Sequence, residues 1–110
     1  FFRKNMLTQN NLILTRTEPQ GNGGTQFLYR IKNYGLAAVS RAEEEISQIH
    51  WEVDVIKYKD EKTINYAICH GTELASKTLI FHNDKSLNAF LVRAFAYFKE
   101  LNTLDEMLQK

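Results

Sequence analysis

Seven apolar side chains near the C-terminus, Leu87, Phe90, Leu91, Ala94, Phe95, Phe98 and Leu101, recur at i, i+3, i+4 and i+7 without a miss. Wound on a helix they form a single stripe, so the pattern predicts a helix over residues 86–101 with one dry face. Asn83 or Asp84 is placed to cap it. A stripe of this kind must be buried against another layer, and that layer has to come from upstream. Beyond it, Thr103-Leu104-Asp105-Glu106 repeats the capping-box spacing ahead of Met107 and Leu108, which predicts a second, short terminal helix.

Upstream, the dominant period is two. Ile49, Trp51, Val53 and Val55 alternate with His50, Glu52 and Asp54, the chain turns through Tyr58-Lys59-Asp60-Glu61-Lys62, and Ile64, Tyr66 and Ile68 alternate again from Thr63 to His70. A hairpin turning on Asp60-Glu61 sets Val55 against Tyr66, Val53 against Ile68 and Trp51 against His70. Glu52–Cys69 and Asp54–Ala67 then share the polar face. An earlier hairpin joins Asn11–Thr17 to Thr25–Lys32 across Pro19-Gln20-Gly21-Asn22-Gly23-Gly24. In its second strand Phe27, Tyr29 and Ile31 are expected inside, with Leu28, Arg30 and Lys32 in water. Asn33-Tyr34-Gly35 reads as a turn before a short strand, Leu36–Val39, and Lys77–His82 as the last strand. Ser40-Arg41-Ala42-Glu43 has capping-box spacing, with Glu43, Glu44 and Glu45 favoured at the positive end of a short helix over 41–47.

The order β-β-β-α-β-β-β-α gives an α+β class. The expected architecture is an antiparallel curved sheet or partly open barrel of about six strands, packed by the C-terminal amphipathic helix. In outline this resembles pleckstrin-homology-like barrels, in architecture alone, and no functional residue is carried over. A cone-shaped sheet of the cystatin or nuclear-transport-factor type is the rival, although those place the main helix before the sheet.

A chain of 110 residues suits a single domain, 1–110, with residues 1–10 expected to be loosely ordered. Hydrophobic residues at 44% and charged residues at 25% exclude a disordered chain. The lone Cys69 excludes a disulfide framework and suits a reducing, cytoplasmic setting. No run within the sequence approaches the ~20 apolar residues that cross a bilayer. Phe1-Phe2-Arg3-Lys4 reads as an ordinary chain end; the alternative is the tail of a membrane anchor, which would make this its soluble domain. The net charge of +1 divides unevenly: residues 1–41 carry six cations and one anion, the remainder eight cations and twelve anions. Opposite halves of this kind suit an isologous homodimer.

Every catalytic pattern fails on spacing or face. His50, Glu52 and Asp54 share a strand face, but no paired-histidine or paired-cysteine motif builds a metal site, and no cofactor loop is present. Cys69 and His70 are neighbours and point apart, while a Cys69–His50–Glu52 set lies mid-sheet with nothing to activate the thiol. The glycine-rich 21–24 stretch leads into a strand, not the helix a phosphate loop needs. The expectation is therefore a small non-enzymatic domain that binds a protein partner or itself, with Val92, Ala96 and Tyr97 beside the helix stripe as the interface. A single-stranded nucleic-acid module using Arg16, Arg30 and Lys32 is the alternative. It lacks aromatics in phase with those cations.

Overall fold

The computed structural model describes residues 7–17, 19, 24–40 and 51–109. Among the described residues six strands, β1 Leu12–Thr17, β2 Thr25–Ile31, β3 Tyr34–Ser40, β4 Trp51–Tyr58, β5 Tyr66–Ile68 and β6 Leu79–Phe81, precede one helix, α1 Asp84–Leu108. The strands form an open antiparallel sheet in the order β1-β2-β3-β4-β5. The sixth strand shares the β5 edge: the first half of β4 pairs with β6, with Trp51 opposite Phe81, and the second half with β5, with Tyr58 opposite Tyr66. The α+β class and the closing helix are as expected. The short helix expected over 41–47, the loop tip at 20–23, Ile49 and His50 lie outside the described residues.

The helix stripe lies on one sheet face. Leu87, Phe90, Leu91, Ala94, Phe95 and Phe98 are buried against Tyr29, Tyr34, Leu36, Ala38, Trp51, Val53 and Val55. The N-terminus of α1 is fixed twice. Asn83 accepts the Ser86 amide at 2.7 Å as its cap, and the Trp51 indole N–H donates to the buried Asp84 carboxylate at 2.9 Å. Within the segment expected to be loose, Leu7 is buried, the Thr8 amide donates to Asn88 Oδ1 at 2.7 Å and the Thr8 carbonyl accepts from the Tyr29 hydroxyl at 3.1 Å.

The opposite sheet face carries a smaller core of Leu28, Ala37, Ile56 and Tyr58, with Leu14 and Tyr66 against it. Leu28 is therefore not in water as its alternation with Tyr29 implied; both are fully buried, on opposite faces. The Arg30 guanidinium lies 4.3 Å from the Tyr58 ring centroid. In β1 the register shifts by one between Leu12 and Leu14. This bulge leaves Ile13 exposed and irregular on the outer edge, which discourages edge-to-edge pairing.

Three local expectations are corrected. The β2–β3 turn falls on Lys32-Asn33, not Asn33-Tyr34-Gly35, because Ile31 pairs directly with Tyr34. Lys32 takes φ 53° there, and Asn102 of α1 clamps the turn, donating to Ile31 O at 2.8 Å and accepting the Asn33 amide at 3.4 Å. The helix does not restart at Thr103: the Thr103 hydroxyl donates back to Lys99 O at 3.0 Å, and α1 runs unbroken to Leu108. The β4–β5 register is three residues from the tight-hairpin expectation. Asp60 accepts from the Lys62 and Thr63 amides at 2.9 and 2.7 Å and from the Thr63 hydroxyl at 2.9 Å. These bonds build a loop wider than two residues. Ile56 therefore faces Ile68, and an odd slip turns every β5 side chain to the other sheet face. The outer strands are also shorter than expected, 66–68 and 79–81.

Candidate functional site

The three cations expected to meet nucleic acid are engaged within the fold. Arg16 Nε donates to Gln26 Oε1 at 2.7 Å. Arg30 donates to Lys32 O at 2.6 Å, Thr63 O at 3.0 Å and Asp60 O at 2.5 Å, so its planar fork ties the β2–β3 turn to the 59–63 loop. Lys32 pairs with Glu106 on α1, which raises its pKa, the hydrogen bond being the main cause. Arg3, Lys4 and Arg41 lie outside the described residues.

The register slip also redistributes the polar residues of the 51–70 hairpin. His70 no longer opposes Trp51; its Nε2 lies 3.1 Å from Asp54 Oδ1, which also accepts the Thr78 hydroxyl at 2.5 Å. Cys69 leaves Glu52 and sits opposite Val55, to whose carbonyl its amide donates at 2.8 Å, on the helix side of the sheet. His70 and Cys69 thus point to opposite faces, as neighbours on a strand must, but each to the side reversed from expectation. Among the described residues no group of three histidines, cysteines or carboxylates is placed to hold a metal.

Cys69 borders a cleft of about 490 Å³ between the β3–β4 end of the sheet, the 69–73 loop and α1, whose Glu100 and Leu104 also line it. Tyr34 and Lys57 form its floor, with the Lys57 ammonium 5.4 Å from the Tyr34 ring centroid. The Tyr34 hydroxyl donates to Asp105 Oδ2 at 2.7 Å, its ring stacks on Phe98, and burial with that bond pushes its pKa up to about 12. On the wall, Tyr97 accepts the Glu73 amide through its hydroxyl at 3.3 Å, while the buried Thr72 Oγ1 has no hydrogen-bond partner. The Cys69 thiol is free and half-buried, packed against the main core.

The outward face of α1 adjoins this cleft at Glu100 and Leu104 and carries exposed apolar side chains. Val92 is 66% exposed, and Leu104, Met107 and Leu108 are 53%, 63% and 83% exposed. Ala96 is exposed beside them, whereas Tyr97 is half-buried and tied to the 69–73 loop. Of the three residues singled out from sequence as an interface, Val92 and Ala96 are therefore open and Tyr97 supports the fold.

No protein-family model, curated protein or solved structure matches this chain. The site must be read from its own geometry. Assigning Leu104, Met107 and Leu108 to a separate helix concealed that they continue the exposed side of α1. Arg93 and Glu100, which share that side, gave no motif-level signal. Their seven-residue spacing was the available clue.

Proposed function

We propose that this chain is a non-enzymatic protein-binding domain whose contact surface is the outward face of α1. The observation that carries this reading is the run of exposed Val92, Leu104, Met107 and Leu108 on a helix whose other side is fully packed. Apolar side chains collected on one exposed helix face are the usual mark of a partner-binding surface, since each forfeits its burial energy in the free chain. Supporting it, the basic residues of the first hairpin are held in intramolecular contacts, and the single cysteine is a packed free thiol compatible with a reducing compartment.

A photo-reactive side chain placed at Leu104, and separately at the exposed Lys77 off the helix, tests the surface. Discrete covalent adducts from Leu104 and none from Lys77 are expected, with purified protein or in extract. Absence of a discrete adduct at Leu104, or equal labelling at both positions, would remove the surface from consideration.

A further inference from the structure

Resting on that reading of α1, we infer that the occupant of its outward face is a second copy of the chain. The two helices run antiparallel about a two-fold axis between Ala96 and Tyr97. Arg93 and Glu100 are both exposed and lie seven residues apart, two turns along the same side of the helix. Neither has an oppositely charged residue three or four positions away: Arg93 is flanked at those distances by Ala89, Phe90, Ala96 and Tyr97, and Glu100 by Ala96, Tyr97, Thr103 and Leu104. Along the helix Arg93 meets the Phe90 ring, 5.7 Å from its centroid, but neither charge has a partner of opposite sign there. A two-fold axis at 96/97 sets Arg93 of each copy opposite Glu100 of the other, satisfying both charges twice with one contact type.

The same operation places large residues against small ones. Leu104 falls opposite Ala89 of the second copy, whose missing bulk leaves room for it, and Leu108 falls opposite Lys85, whose alkyl stem can cover it. Ala96 lies at the crossing point, where a small side chain lets two helices approach closely. A parallel arrangement sets Arg93 against Arg93 and Glu100 against Glu100, so charge selects the antiparallel one.

Sedimentation equilibrium and light scattering on the intact protein test this, over concentrations up to about 500 µM because a single helix pair gives a small, weak interface. Wild type is expected to be a monomer–dimer mixture. Arg93→Glu and Glu100→Arg should each weaken self-association by roughly tenfold or more, since each replaces two attractions with two repulsions. The double variant R93E/E100R should recover to within about threefold of wild type. An equimolar mixture of the two single variants should form heterodimers that neither forms alone. Loss of folding cannot produce that complementation. A wild-type chain that stays monomeric throughout, or a double variant as weak as the singles, overturns the proposal. The first result together with a Leu104 adduct of foreign mass would leave the α1 surface standing with a different partner; absence of any Leu104 adduct would remove both.

Discussion

Gly35 lies in β3 where β2, β3 and β4 are tightest, and replacing it by alanine tests the sheet directly. An added Cβ would fall within van der Waals overlap of the Tyr29 carbonyl oxygen and 2.9 Å from Cε2 of Tyr58. The first neighbour is backbone in the adjacent strand and has no rotamer with which to yield. Overpacking of this sort costs about 1–3 kcal/mol. The displaced Tyr58 also loses the buried hydrogen bond from its hydroxyl to Tyr29 O, 3.1 Å long and worth about 1 kcal/mol. The sum, roughly 2–4 kcal/mol, is a large part of the stability of an ordinary small domain. Gly71→Ala is the matched control, because nothing lies within 4 Å of its added methyl. Urea unfolding followed by circular dichroism is expected to show Gly35→Ala lowered by that amount and Gly71→Ala within about 0.5 kcal/mol of wild type. Adding Tyr58→Ala should not rescue Gly35→Ala, since the carbonyl clash remains. A Gly35→Ala protein within about 1 kcal/mol of wild type, or one rescued by the second change, would refute the packing described for β3.

Trp51→Phe removes the indole donor to Asp84 and should cost about 1.5–3 kcal/mol in the same assay, as expected for a bond to a charged group; a loss under about 0.5 kcal/mol would count against that bond. Lys32→Gly relieves a left-handed backbone at the expense of an exposed ion pair and should leave stability unchanged or improved, whereas Asn102→Ala should lower it by roughly 1–3 kcal/mol; the reverse order would contradict the clamp. Burial pushes the pKa values of Tyr29, Tyr34 and Tyr58 up to about 12. A folded value above the ordinary one near 10 means the stabilisation is full below that pH and disappears as pH climbs toward 12. In an ultraviolet titration Tyr29, Tyr34 and Tyr58 should therefore ionise late and together with unfolding; their titrating while the fold persists would be inconsistent with their burial. Asp60 has its pKa lowered, first by the Thr63 hydroxyl and then by the Thr63 and Lys62 amides, so its contribution is present above the ordinary carboxyl range and lost in acid. The protection of the Thr63 amide against hydrogen exchange, relative to the free-peptide rate at each pH, should fall selectively in acid, and equal protection through the acid range would argue against the loop.

The parts of this fold legible in the sequence are those set by long periodic runs. The stripe from Leu87 to Leu101 and the alternation of Trp51, Val53 and Val55 needed no tertiary information, because each repeats over enough residues to fix a face, while the sequence narrows the cap to Asn83 or Asp84 and it falls on Asn83. The errors arose where one polar side chain decided the outcome. Asp60 collects three hydrogen bonds and widens a loop, and the resulting slip moves Cys69 and His70 to faces opposite those expected. Thr103 has the spacing of a cap yet bonds back to Lys99, because the neighbouring Asn102 is held by the β2–β3 turn and keeps the helix in register through that point. Leu28 was misplaced because alternation assumes one wet face, and here both faces of β2 are covered. Of the proposed surface, Val92 and Ala96 are visible in the sequence as apolar residues outside the stripe, but Arg93 and Glu100 acquire meaning only once α1 is known to be continuous.

That continuity gives the surface its energetic sense. At 25 residues α1 is roughly 37 Å long, whereas the longest strand, β4, has eight residues and spans about 26 Å. A helix longer than its sheet must overhang, and the contacts show at which end. Its start is fixed at Trp51, and its last ties to the sheet layer are Asn102, Asp105 and Glu106, all made to β2, β3 or the turn between them. Met107 and Leu108 follow the last of these ties. Each would gain about 1.5–3 kcal/mol from burial that the free chain leaves unrealised. Had the helix stopped at the cap-like Thr103, Leu104 and the two residues beyond would not have been carried out along a rigid rod. The continuous helix through Thr103 thus projects Leu104 and Met107 on the side that also carries Arg93 and Glu100, and carries Leu108 past the end of the packed stripe. Met107 and Leu108 stay exposed in the free chain, and the association proposed above is what their burial would stabilise.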